Sequence, residues 1–256
     1  MKSILPALLF LGALSLHAGE SKFRCDWSSF PQGAIRYFKY ASTWGNREPQ
    51  WQDRRTVLKE KREDGSCIIE TQEKNGEDWT RVEGSLCIGQ APETMNLKLA
   101  KTEPEAVKVG ETTVSCKKVT YAGKDDKDDL QLILWQIPKG TICERTLHQW
   151  KSSGLIQLNA DVVRAQIKRT DGDTVLTIES VVIAEDRPIQ IAKDTLNCLE
   201  ERIVSTYQKQ GFPARTETST RWLNPKVPGL MVKYLSDSKT PCEQHLTTAF
   251  EVGTKQ

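Results

Sequence analysis

The sequence predicts a mainly β protein with few helices, built as two tandem related antiparallel-sheet modules. Three observations predict it. Tight-turn dipeptides recur at Asp64-Gly65, Asn75-Gly76 and Asp171-Gly172, and such pairs supply the positive φ that short hairpin loops need. The segments between them are rich in β-branched and aromatic residues, as in 34–42 (AIRYFKYAS), 66–72 (SCIIETQ) and 174–184 (TVLTIESVVIA). Finally, Trp-x-x-Pro-Lys is written twice, at Trp135–Lys139 and Trp222–Lys226.

The chain opens with Lys2, an apolar block over 4–16 and a small residue at Ala18. That order is the pattern of a secretory signal peptide over 1–18. An apolar block this short does not suit a membrane span. An exported chain, periplasmic or extracellular, is therefore expected, with no transmembrane segment after cleavage. Loss of Lys2 takes the 36 basic residues to 35 against 34 acidic ones, a formal charge near +1. Both signs are interspersed, which predicts no nucleic-acid partner.

In the first module, 19–151, aromatic residues crowd 34–42, and Trp44, Trp51 and Trp79 follow in polar surroundings. Such residues give large contact area at low entropic cost, so these three are the candidate ligand-binding residues; packing on a sheet face is the alternative. The stretch 123–129 (GKDDKDD) reads as a solvated hairpin tip and lacks the glycine and terminal glutamate of a calcium loop. Segment 129–137 (DLQLILWQI) is apolar on both faces, as in a strand covered on both sides. The joint falls at 151–154 (KSSG).

The second module, 155–250, repeats the order. Cys116, Tyr121, a polar hairpin, Trp135 and Pro138 answer to Cys198, Tyr207, a second hairpin, Trp222 and Pro225. Cys to Trp spans 19 residues in the first and 24 in the second, a difference a loop insertion absorbs cheaply. An indole ending a strand, followed by a proline that cannot extend the ladder, predicts a structural role for both pairs. Segment 194–211 also fits helical spacing through Leu196, Leu199, Ile203 and Tyr207, but the match to the β-rich first copy favours strand. In 214–222 the alternation is clean: Thr216, Thr218, Thr220 and Trp222 on one face, Arg215, Glu217, Ser219 and Arg221 on the other.

Little chemistry is written in the chain. Beyond the leader stand two histidines, His148 and His245, neither with a second ligand at metal spacing. No cofactor and no metal site are expected, and an enzyme is not favoured. Seven cysteines, Cys25, Cys67, Cys87, Cys116, Cys143, Cys198 and Cys242, contain no C-x-x-C. In an oxidising compartment some should pair; Cys67 with Cys87 and Cys116 with Cys143 are the candidates.

Cys198, Tyr207, Trp222, Pro225, Pro228 and Gly229 together resemble a pattern of uncharacterised exported bacterial β-rich proteins. The first copy lacks the second proline. Some of those proteins look like the half barrel of periplasmic lipoprotein carriers of the Lol type. The resemblance implies a curved sheet or half barrel whose concave face holds an apolar or acyl ligand, and it carries no catalytic residue. The expectation is thus an exported, non-enzymatic binding or structural protein of the envelope, with lipid as a possible partner. The alternatives are an exported hydrolase using His148 or His245, and a protein–protein interaction module.

Overall fold

A computed structural model describes residues 25–43, 47–90, 95–125, 127–148, 154–237 and 242–252. Among these the chain is all β, without a helix. In order the strands are β1 (Ile35–Thr43), β2 (Trp51–Lys61), β3 (Cys67–Asn75), β4 (Asp78–Gln90), β5 (Leu97–Val109), β6 (Thr112–Asp125), β7 (Asp128–Gln136), β8 (Arg145–His148), β9 (Gly154–Leu158), β10 (Val162–Asp171), β11 (Thr174–Ile191), β12 (Asp194–Lys209), β13 (Arg215–Leu223), β14 (Met231–Ser236) and β15 (Cys242–Glu251).

Thirteen strands pair antiparallel in the order β5-β6-β7-β10-β11-β12-β13-β14-β15-β1-β2-β3-β4, in a curved sheet that does not close. β9 adds to β4 in parallel over Ile88–Gln90, and β8 pairs antiparallel with β9. Strands of the first half therefore flank those of the second on both sides of one continuous sheet.

The predicted turns hold. Asn75 pairs with Asp78 around Gly76, and Asp171 with Thr174 around Gly172, each glycine at positive φ. Residues 194–209 of segment 194–211 form β12, because their backbone groups find partners on both β11 and β13. The two-sided strand is β7. Leu130, Leu132 and Leu134 point to one cluster and Ile133 and Trp135 to another. The first of these clusters is closed over by Leu147, Ile156 and Leu158 of β8 and β9, all at most 1% exposed.

The two Cys–Trp hairpins share one register. Trp135 stands opposite Lys118, two residues after Cys116; Trp222 stands opposite Glu200, two residues after Cys198. The length difference sits in the tips. Asp125 pairs with Asp128 in the first hairpin, whereas Tyr207 pairs with Arg215 across a longer tip in the second. One part of the sequence match is corrected by this register. Tyr121 is opposite Leu132, and the equivalent position in the second hairpin is Ile203, opposite Ser219. Tyr207 lies further out, where the insertion begins.

Each indole is the penultimate residue of its strand, and Pro138 and Pro225 lie in the turn that follows. The glycine after each Pro-Lys marks a close approach. A Cβ on Gly140 would come within 2.7 Å of the backbone at Ala160–Asp161. One on Gly229, at φ +71, would meet the Trp27 indole at 2.6 Å. Trp135 is buried beneath Arg164 (4.4 Å) and Lys118 (5.4 Å); Trp222 is half-buried under Lys233 (4.9 Å).

Candidate functional site

Three groupings of polar and aromatic side chains stand out, and strand pairing positions each of them.

The first is a buried ionic centre. Glu201 on β12 lies opposite Arg221 on β13, and neither Glu201 nor Arg145 of β8 is exposed at all. Arg145 Nε donates to Glu201 Oε1 at 2.6 Å, and Arg221 Nε and Ser180 Oγ also donate to this carboxylate. The two arginines reach on to main-chain carbonyls: Arg145 Nη1 to Val162 O at 2.9 Å, Arg221 Nη2 to Thr146 O at 2.6 Å. Thr146 Oγ1 donates to Asp26 Oδ2 at 2.8 Å. Burial alone would push the Glu201 carboxyl up; Arg145 and Arg221 more than offset it and hold it at about 2. Asp26 goes the other way. Burial outweighs the help of Arg221 and Thr146 and raises it to about 6. Chemically this centre fastens the β8–β9 hairpin and the N-terminal segment to the sheet. Most of its acceptors and donors are spent on each other, as a buried charge group requires, while Arg145 Nη2 is buried with no hydrogen-bond partner among the described residues.

The second is an aromatic box around His245 of β15. Phe38 stacks on the imidazole at 5.5 Å, and Tyr40 (5.1 Å) and Tyr234 (5.3 Å) meet it edge-on. Arg36 lies over Phe38 at 4.8 Å and Arg54 over Tyr40 at 3.9 Å. Burial first, then Arg36 and Arg54, push the imidazole down to about 3, so it is neutral. Both ring nitrogens are buried without a hydrogen-bond partner. General-base work needs a hydrogen-bonded, oriented imidazole, and His245 has no carboxylate or thiol bonded to it. His148 ends β8 opposite Leu155; its side chain lies outside the described residues. Among the described residues no cluster of His, Cys, Asp and Glu could hold a metal ion.

The third lies at the surface around Trp79, one of the predicted residues; Trp51 stands further along β2, outside the lining of the pocket there. Trp51, Asp53 and Arg55 alternate onto one face of β2, and Arg55 lies over the Trp79 ring at 4.5 Å. Tyr37 of β1, opposite Arg55, meets Trp79 at 6.0 Å with the rings tilted by 59°. Trp51 is 45% exposed. A pocket of about 340 Å³ opens here, lined by Tyr37, Asp53, Arg54, Lys74, Trp79 and Thr248 among others. Trp44 lies outside the described residues. Tyr37, Arg55 and Lys74 were not singled out from the sequence. Only pairing across β1, β2, β3 and β4 brings them to Trp79.

One face of the sheet is covered over β7, β10 and β11. The β8–β9 side chains fill the space above β7, β10 and β11. The opening on this face, lined by Leu176, Ser205, Tyr207, Arg215 and Glu217, holds about 240 Å³. Neither expected disulfide is present. Cys67 faces Cys87 in register, yet Cys67, Cys116 and Cys143 are free thiols.

No family model and no curated protein matches this chain. A solved structure described as a "putative lipoprotein" from Parabacteroides distasonis ATCC 8503 aligns over 89% of this chain and 99% of its own, at 10% identity and a TM-score of 0.38. A Lol-type fold is not supported. Among the described residues no helix is long and apolar enough to cross a membrane.

Proposed function

We propose that the chain is an exported, non-enzymatic binding protein of the bacterial envelope whose ligand surface is the Tyr37–Trp51–Arg55–Trp79 face, and whose ligand is a polyhydroxylated glycan. The apolar leader-like block at 4–16 supports export. The two matched hairpins support an origin of 19–151 and 155–250 from one duplicated unit.

The pocket against Trp79 is the observation that carries the ligand class. At about 340 Å³ it falls within the range of small-molecule sites. Its lining carries charges of both signs, Asp53 against Arg54 and Lys74, beside the Tyr37 and Trp79 rings. A hydrocarbon chain laid there would strip water from those charges without replacing it. A sugar ring offers an apolar face to the indole and hydroxyls to the charges. The acyl-ligand alternative rests on the smaller Leu176–Tyr207 opening.

The test is a titration of the mature chain with soluble oligosaccharides from envelope glycan, followed by indole fluorescence and calorimetry. Binding that Trp79→Ala weakens about tenfold or more, with Trp222→Phe unaffected, supports the proposal. No binding of any saccharide, or binding indifferent to Trp51→Ala and Trp79→Ala alike, overturns it.

A further inference from the structure

The segment ahead of β1 is buried rather than trailing. Cys25, Trp27 and Phe30 are each 5% exposed. Two main-chain bonds wind it inward, Ser28 N to Cys25 O at 2.9 Å and Phe30 N to Trp27 O at 3.1 Å. Gly33 N donates to Leu58 O at 2.8 Å and Leu58 N to Ala34 O at 2.9 Å, which ties the segment along β2. The next strand over begins at Cys67, opposite Lys61 of β2 and fully buried. Cys25 and Cys67 belong to the same apolar cluster, with Leu58 and Trp27. Their two thiols are hydrogen-bonded to each other. Each is free.

We propose that Cys25 and Cys67 are an oxidation site, closing an intramolecular disulfide that clamps the N-terminal segment to β3. The oxidant is a disulfide-bearing thiol oxidant. The Cys25 thiolate, its proton lost to solvent, attacks one oxidant sulfur. The oxidant S–S bond breaks, one oxidant thiolate leaves, and a mixed disulfide remains on Cys25. The Cys67 thiolate, likewise deprotonated, then attacks Cys25 Sγ and displaces the second oxidant sulfur. One Sγ–Sγ bond has formed, two protons have been released, and two electrons have passed to the oxidant, now in its thiol form. The hydrogen bond with Cys25, then burial, raise the Cys67 thiol far above its ordinary range. Thiolate is scarce in the docked state, so oxidation belongs to folding, before the segment packs. The proposal is independent of the ligand.

The full chain is refolded from denaturant with oxidised glutathione as the oxidant, free thiols are blocked with N-ethylmaleimide, and the protein is digested with trypsin without reduction. The three cysteines fall on separate peptides, Cys25 on 25–36, Cys67 on 63–74 and Cys87 on 82–98. Mass spectrometry should find 25–36 joined to 63–74. Reduction should then lower Tm by roughly 5–15 °C. Cys25→Ser and Cys67→Ser should each lose that drop, and Cys87→Ser should keep it. A linkage of 63–74 to 82–98, or Cys25 and Cys67 both blocked after refolding, would overturn the proposal. The peptide map needs only the unaltered chain, so it decides even where a variant fails to fold.

Discussion

Glu201 is the residue on which the interior depends most. It satisfies two buried arginines and a buried serine at once. Glu201→Gln removes the carboxylate with which both guanidinium groups pair, so it should cost about 3–5 kcal/mol in denaturant unfolding. The pH response follows from three groups. Glu201 is held at about 2 against 4.5, so its stabilisation is present above pH 4.5 and lost as pH falls towards 2. His245 is held at about 3 against 6.5, so the folded state resists a proton that the unfolded chain takes up, and stability falls as pH drops from 6.5 towards 3. Asp26 is raised to about 6 from 3.8, so it works in the opposite sense and adds stability as pH falls from 6 towards 3.8. His245→Phe should therefore gain on the order of 2 kcal/mol at pH 5 relative to its gain at pH 8. Asp26→Asn, keeping an acceptor for Thr146, should stabilise the fold at pH 8 and show no gain at pH 4. Urea midpoints across pH 4–8 check both. None of this was visible in the residue pattern. Arg221 sits on the charged face of an alternating segment, which reads as solvated. Its burial is decided by Glu201 and Thr146, which lie 20 and 75 residues away.

At the scale of elements, the repeated Pro-Lys turns explain why glycine follows them. Gly229 combines positive φ with the Trp27 indole at 2.6 Å from a would-be Cβ. Gly229→Ala should cost about 2–3 kcal/mol, part from the backbone and part from displacing the indole. In a Trp27→Ala background the same change should cost only about 1 kcal/mol, the backbone share. A double-mutant cycle by chemical denaturation measures the difference. The elements were the most legible level. Gly76 and Gly172 turn where the dipeptides predict, and 194–209 is a strand although Leu196, Leu199, Ile203 and Tyr207 also suit a helix. Propensity left that segment open; partners on β11 and β13 closed it. The cysteines were not legible. Cys67 does stand opposite Cys87, but the thiol it meets is Cys25, brought in by a segment that pairs with nothing in the sequence pattern.

For the whole molecule, curvature was expected and is present, and over β7, β10 and β11 one face of the curved sheet is covered by β8 and β9. The hairpin β8–β9, which spans the predicted joint, packs its own leucines and isoleucine against β7, β10 and β11. Sheet order is what hid the exposed site. β1 pairs with β2, β2 with β3 and β3 with β4, so Tyr37 and Arg55 reach Trp79 only once these four strands are in register. Because β1 is held on both edges, Tyr37→Ala should lower glycan affinity about three- to tenfold while leaving Tm within a few degrees. Calorimetric titration paired with thermal melts separates the two effects.

The most direct test is native mass spectrometry of the protein taken gently from the envelope of cells that make it, with the bound mass released and fragmented. A saccharide mass, absent from a Trp51→Ala/Trp79→Ala variant handled the same way, is the predicted result. A fatty acyl mass retained by that variant would contradict the account.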